Sequence, residues 1–271
     1  MKKGVFIGVV VLLLIALGVS AFMVGSYLVE GKQQEDRYNE LSQIAGATRP
    51  AETTAATQAA EVTEAAETVE STANAEPTEP TEIPGYAEIH ALNSDTVGWI
   101  KIEGTQVDYP VMQTPNNPNY YLYRDFDKKS SQRGSIYAWE TADVNEPSDN
   151  ITLFGHCMAD GSMFFALNSY VDKSYWEDNS LIFFDTINEY HTYKIFAVFK
   201  TSANVGEGYA YHKFVDAENA SEFDAFVNKV KSLSFYDTGV TPVYGDKLIT
   251  LSTCEYTLDN GRLVVCAVRI S

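Results

Sequence analysis

After Lys2 and Lys3 the chain carries no charged residue from Gly4 through Val29, an uncharged run of 26 residues. Roughly 20 apolar residues suffice to cross a bilayer as a helix, so this run reads as a membrane span. The two lysines before it favour a cytoplasmic N-terminus, which places everything after Glu30 on the outer side. A cleaved signal peptide is the competing reading, since Val19-Ser20-Ala21 resembles a weak cleavage site. The run is longer than an ordinary signal core, which favours an uncleaved anchor. Whatever follows must therefore fold with one end tied to a membrane.

Beyond the span the chain divides into a charged segment and stalk over 32–85 and a folded domain over 86–271, with 1–31 as cytoplasmic tip and anchor. Residues 32–46 are charged, and Tyr38, Leu41 and Ile44 at three-residue spacing suit a short helix. From Ala47 to Pro84 the composition shifts to Ala, Thr, Glu and Pro, with eight acidic residues against the single base Arg49. Such a segment cannot bury enough apolar surface to offset its ordering entropy, and like charges extend it. It is expected to be a disordered stalk that lifts the following domain off the membrane.

Tyr86 to Ser271 is long enough for one well-buried core. The chain as a whole carries a formal charge of −18, which argues against nucleic acid or an anionic membrane surface as a partner. Strand-like runs recur at 97–103, 107–112, 134–139, 151–156, 181–185, 191–200, 248–254 and 262–270. Eight such runs with turn signals between them predict a mainly β fold, a closed or nearly closed eight-stranded barrel with a few peripheral helices. Short helical patterns cover 87–92 and Met163 to Val171. The clearest helix runs from Asn219 to Leu233, where Phe223, Phe226, Val227, Val230 and Leu233 form one apolar stripe. Asn219 with Glu222 three residues on predicts a capping box.

The chemistry centres on Thr250-Leu251-Ser252-Thr253-Cys254, followed eight residues later by Arg262. Alternation puts Thr250, Ser252 and Cys254 on one strand face and Ile249 and Leu251 on the other. Asp259-Asn260-Gly261 supplies the φ > 0 residues of a tight turn, so Cys254 and Arg262 flank one connection. A thiolate needs a cation nearby, and a carbonyl under attack needs a donor for its developing charge; Arg262 suits either need. Pattern alone leaves Cys254 open between a small core residue and a nucleophile. Of the four histidines, His90, His191 and His212 have no special context and read as structural or exposed. His156 ends the apolar run Ile151-Thr152-Leu153-Phe154-Gly155, where a strand opens into a loop and catalytic side chains are commonly presented.

These residues together resemble the sortases, the cysteine transpeptidases of Gram-positive surfaces. The likeness is carried by Thr250 to Cys254, the arginine on the next strand, and Phe154-Gly155-His156 followed by Gly161-Ser162-Met163-Phe164. Val97 to Ile102, Asp108 to Gln113, Tyr121-Leu122 and Gly134 to Tyr137 fall in the order of class B members, as does a helical insertion at 216–235 before the cysteine strand. The resemblance implies a sortase-type barrel in which Cys254 attacks a sorting-signal carbonyl on a secreted protein and forms a thioester. His156 would protonate the leaving amine and deprotonate the incoming one, and Arg262 would orient the peptide and stabilise the oxyanion. The acceptor would be an amine of a cell-wall precursor or a pilin subunit. Ser252, Glu255 and Leu122 are the implied substrate contacts, and segment 201–215 with the helix after it would wall a groove beside Cys254. No cofactor and no resident metal are implied.

Two departures from the family pattern stand out. Tyr256 occupies the place where some class B members carry an acid two positions after the cysteine, so any orienting partner for the histidine must come from elsewhere, with Asp259 and Glu255 as candidates. Cys157 directly follows His156, where asparagine is common. It reads as a filler of a small pocket, as a disulfide partner that masks Cys254, or as a third ligand of an inhibitory zinc site with His156 and Cys254. Cys266, within an apolar strand, reads as core. The rival functions are a cysteine peptidase that passes the thioester to water and a tethered binding domain without activity.

Overall fold

The computed structural model describes residues 3–46 and 82–271. The Ala/Thr/Glu/Pro-rich part of the expected stalk, residues 47–81, lies outside them. Helix α1 (Lys3–Gly46) runs unbroken for 44 residues through both the apolar run and the charged stretch after it. Its first part, Phe6 to Val29, leaves its large side chains mostly exposed and is long and apolar enough to cross a membrane. The second part is amphipathic: Gly31, Gln34, Tyr38, Leu41 and Ala45 are buried at alternating spacings of three and four, which lay them along one helix face. That face packs on α2 (Pro84–Leu92) and on strand β2 (Asp108–Met112).

The remaining strands are β1 (Thr96–Lys101), β3 (Ile136–Ala138), β4 (Asn150–Phe154), β5 (Leu181–Thr186), β6 (Thr192–Ser202), β7 (Leu248–Glu255) and β8 (Gly261–Arg269). All eight match the strand-like runs of the sequence, each end shifted by no more than two residues, which leaves β3 only three residues long. They close in the order β1-β2-β3-β4-β7-β8-β6-β5. The β2–β3 and β4–β7 pairs are parallel and the others antiparallel. Closure leaves no exposed sheet edge. Gly98 is required where β1 meets β5, because a Cβ there would lie 2.2 Å from the Asp185 carbonyl oxygen.

Two apolar clusters hold the molecule together. Ile100, Val111, Leu153, Phe184, Ile249 and Leu251 belong to the first, which continues under α2 and α1. The second lies on the opposite faces of β6, β7 and β8, beneath α4 (Ala220–Leu233). Phe223, Phe226, Val227 and Val230 of α4 are buried there, each contributing about 1.5–3 kcal/mol of transfer free energy. This layer also covers one face of β7: Thr250 and Ser252 are fully buried under the insertion between β6 and β7. Asn219 caps α4 by accepting the Glu222 N–H at 3.2 Å, but the Glu222 carboxylate returns to the Glu218 N–H at 3.0 Å. The reciprocal bond of the expected capping box thus closes one residue early. Helix α3 (Lys173–Asp178) and the 3₁₀ turns Tyr120–Tyr123 and Tyr211–Lys213 were not foreseen; Met163 to Val171 contains the 3₁₀ helix Phe165–Val171.

Candidate active site

Strand pairing alone brings two of the candidate residues together. In the β7–β8 ladder Cys254 lies directly opposite Arg262, and Glu255 opposite Gly261. The connecting turn is tight for a different reason than its triplet suggests. Of its three residues only Asn260 has positive φ, at 47°, whereas Gly261 is needed because a Cβ would lie 2.6 Å from the Glu255 carbonyl oxygen. Arg262 Nη1 donates to Asn260 O at 3.2 Å, Asn260 Oδ1 at 3.1 Å and Gly261 O at 2.8 Å. Those bonds anchor one arm of the guanidinium, and the residue also lines the cleft beside Cys254.

His156 arrives by the parallel β4–β7 ladder, which sets Phe154 beside Ser252. The pairing continues past the strand end: Gly155 N donates to Ser252 O at 3.1 Å, and Thr253 Oγ1 donates to Gly155 O at 2.8 Å. Gly155 is squeezed between Ile136 and Phe164, 2.4 Å and 2.7 Å from where a Cβ would sit. The imidazole is oriented by a backbone group, with Nε2 2.8 Å from the carbonyl oxygen of Leu122. A carbonyl only accepts, so Nε2 carries the proton and Nδ1 is the nitrogen that can take one up. This answers the absence of an acid at position 256: neither Asp259 nor Glu255 is needed to orient the ring.

Cys254, His156 and Arg262 line one cleft of about 230 Å³. Leu122 forms part of its rim, Ser252 part of its floor, and Ala203, Tyr211 and His212 from the β6–α4 insertion make the far wall. The Ser252 hydroxyl is hydrogen-bonded to Tyr211 at 2.5 Å. Glu255 is not among the cleft-lining residues. Its buried carboxylate accepts from Lys200 Nζ at 2.7 Å and from the N–H groups of Thr257 and Leu258 at 2.9 Å and 3.1 Å, which ties down the turn. Burial works to raise its pKa, but the Lys200 bond and the Thr257 and Leu258 donors prevail and hold it at about 2.

That shift carries a stability consequence. The unfolded glutamate, with a pKa of about 4.3, takes up its proton first as the pH falls. The stabilisation is therefore fully present above that pH and is lost progressively toward the folded value. Thermal melting of wild type and Glu255→Gln between pH 7 and the acid limit of folding checks this. The gap in Tm is expected to be largest near neutrality and to narrow below about pH 4; a gap constant with pH contradicts it.

Sequence patterns missed the aromatic wall. His212, which had no special context, packs edge-on against Trp139 with ring centroids 4.9 Å apart. Burial, and then the neighbouring Lys213, lower its pKa. Trp139, Tyr137 and Asn119 also reach this cleft, from segments whose local sequence carries no signal for it. The other histidines are structural. His90 Nδ1 lies 2.8 Å from Thr96 O, and His191 is buried beside Glu189.

All three cysteines are free. The Cys157 sulfur accepts from Asn168 Nδ2 at 3.1 Å, and burial raises its pKa. Cys266 is fully buried, its pKa pushed up to about 12 by burial. Among the described residues no group of three or more His, Cys, Asp or Glu side chains is arranged to hold a metal ion.

Residues 100–270 match the sortase domain family. The chain is 33% identical to sortase B of Staphylococcus aureus (strain NCTC 8325 / PS 47) over 188 residues, 68% of this chain and 74% of the relative. It is 33% identical to sortase B of Listeria monocytogenes serovar 1/2a over 181 residues, 66% of this chain and 71% of that one. Among solved structures, the Staphylococcus aureus sortase B–substrate complex is similar with a TM-score of 0.64 at 31% identity, covering 70% of this chain and 86% of that one. Sortase B from B. anthracis in complex with AAEK1 has a TM-score of 0.62 at 31% identity, covering 70% and 86%.

Proposed function

The chain belongs to the sortase family of cysteine transpeptidases, and from that premise we propose that it is a membrane-anchored enzyme joining secreted proteins to an amine outside the cell. Residues 4–29 hold it in the membrane with the N-terminus in the cytoplasm, and 86–271 form the extracytoplasmic catalytic domain. The Cys254 thiolate attacks the scissile carbonyl of a C-terminal sorting signal. The tetrahedral intermediate collapses with cleavage of the C–N bond and formation of a thioester, while the C-terminal fragment leaves as an amine. His156, whose Nδ1 takes the thiol proton as the Cys254 thiolate forms, gives that proton to the leaving amine and then removes one from the incoming acceptor. The acceptor nitrogen attacks the thioester, restoring an amide and releasing the thiolate. Arg262 donates to the oxyanion in both halves through the arm not tied to the turn.

The observation that carries this reading is the convergence of Cys254, His156 and Arg262 on one cleft, with the imidazole proton directed to Leu122 O. Ser252 and Leu122 are the proposed substrate contacts. Glu255, already engaged by Lys200 and the turn, would act on substrate only indirectly, through the shape of the Cys254–Arg262 connection. The acceptor is a cell-wall precursor or pilin amine. Incubation with a fluorescent sorting-signal peptide, with and without an oligoglycine amine, separates transfer from hydrolysis. A product extended by the amine is expected. A product that stays the hydrolysed acid at any amine concentration makes the protein a peptidase instead.

A further inference from the structure

We infer that the membrane-proximal part of α1 is a positioning element for His156, acting through the 131–135 segment on the carbonyl that orients the imidazole. The inference rests on the reading of His156 as the acid–base group. Four consecutive carbonyls, from Tyr121 to Arg124, form the support of the ring. Three are held by one short segment: Ser135 N donates to Tyr121 O at 3.0 Å, Ser131 N to Tyr123 O at 3.0 Å, and Ser135 Oγ to Arg124 O at 2.9 Å. The remaining carbonyl, of Leu122, takes the His156 Nε2 proton. Gly134 lies flat against it, so close that a Cβ would be 2.4 Å from the Leu122 oxygen. Displacement of 131–135 therefore displaces the acceptor of the imidazole proton.

What fixes 131–135 is α1. Gln34, 7% exposed, donates from Nε2 to Gly134 O at 2.7 Å and to the Tyr38 hydroxyl at 3.1 Å, and its Oε1 accepts from Ser131 Oγ at 2.7 Å. The Tyr38 hydroxyl is also bonded to Ser135 Oγ at 3.1 Å. Buried amides cost free energy when unpartnered, so this network holds the segment in a single arrangement or not at all. A second strut runs to the far side of the histidine. Arg133 Nη1 donates to Asp160 and, at 2.9 Å, to Ser162 Oγ, in the loop whose Phe164 N–H donates to His156 O at 2.9 Å. The same guanidinium lies over the Tyr27 ring and fills the space above Gly31, where α1 has no side chain. Gln34 is five residues past Val29, within about 8 Å of the end of the apolar run along the helix. The element that anchors the protein is thus the element that orients its base.

The test uses full-length protein in phospholipid vesicles and needs no substrate. Cys254 alkylation by iodoacetamide is followed against pH by peptide mass spectrometry, which resolves it from Cys157 and Cys266, and His156→Ala supplies the profile of a thiol without its imidazole. Gln34→Ala is expected to slow Cys254 alkylation at neutral pH about tenfold, by misplacing the imidazole, and to move the profile toward that of His156→Ala. Tyr38→Phe shifts it in the same direction by less. Ser42→Ala is the control for helix docking, since its hydroxyl donates to Asp108 Oδ2 at 2.8 Å on β2 and not to the 131–135 segment; its profile stays that of wild type. A wild-type profile for both Gln34→Ala and Tyr38→Phe, or an equal shift in Ser42→Ala, overturns the positioning role. If Gln34→Ala fails to fold, Tyr38→Phe, which keeps its ring, decides alone. A His156→Ala profile identical to wild type overturns the underlying pairing instead.

Discussion

Cys254→Ala is expected to abolish both transfer product and covalent intermediate, a loss on the order of 10⁴-fold or more in kcat/KM. Neither remaining thiol can substitute. Cys266 is buried in the layer under α4, with its pKa pushed up to about 12. The Cys157 sulfur is engaged by Asn168 and its pKa is raised by burial, the opposite of what a nucleophile needs. Intact-mass analysis after incubation with sorting-signal peptide reads the acyl adduct on wild type and its absence on the variant. A variant that still anchors surface proteins would show that the domain works by binding. Arg262→Lys complements the test, because lysine keeps the charge but cannot hold the Asn260 and Gly261 acceptors while also facing the cleft. A fall of roughly 10²- to 10³-fold in kcat is expected from loss of an oxyanion donor, with KM changing less.

Gly134→Ala is the second large effect, and it should strike stability and activity together. Gly134 has φ of 58°, a conformation that costs an L-residue about 1–2 kcal/mol. The added Cβ would also meet backbone on two sides, 2.4 Å from Leu122 O and 2.7 Å from Tyr121 O, where no flexible side chain can give way. A loss of about 3 kcal/mol or more is expected in denaturant unfolding, and the surviving fraction should lose turnover because the Leu122 carbonyl is the acceptor that orients His156. Gly239 supplies the contrast. It also has positive φ, at 72°, but nothing lies within 4 Å of its Cβ position, so Gly239→Ala should show the backbone cost alone and full activity. Equal behaviour of the two variants would refute the steric part of the argument.

Much of the barrel was legible because short strand-like runs bounded by turn signals mark strands, and all eight such runs became strands. The stripe of α4 was legible for the analogous helical reason. Alternation separated the two faces of β7 but left open what covers either, because it reports only that the faces differ. Only α4 and the 201–215 segment, folded over it, reveal that Thr250 and Ser252 are buried. His212 was passed over for the same cause. Its flanking residues carry no catalytic pattern, and it enters the cleft only because the β6–α4 insertion sets it on Trp139. Residues 32–46 were read as a charged stretch able to form a short helix with Tyr38, Leu41 and Ile44 at three-residue spacing; the helix is there, continuous with the apolar run, and every third or fourth residue from Gly31 to Ala45 is buried.

The amino-acid order by itself determined the apolar run, the eight strands and the long helix of the insertion, each encoded in local period or turn chemistry, while Cys254, His156 and Arg262 were singled out by their motifs and the family these resemble. Tertiary structure alone decided which partner orients the imidazole, what Glu255 does, and that the long N-terminal helix reaches the support of His156. Those depend on backbone carbonyls and buried amides meeting across 30 to 100 positions of chain. A carbonyl is present at every residue, so no sequence pattern distinguishes the one at Leu122 from its neighbours until folding brings a ring nitrogen to 2.8 Å.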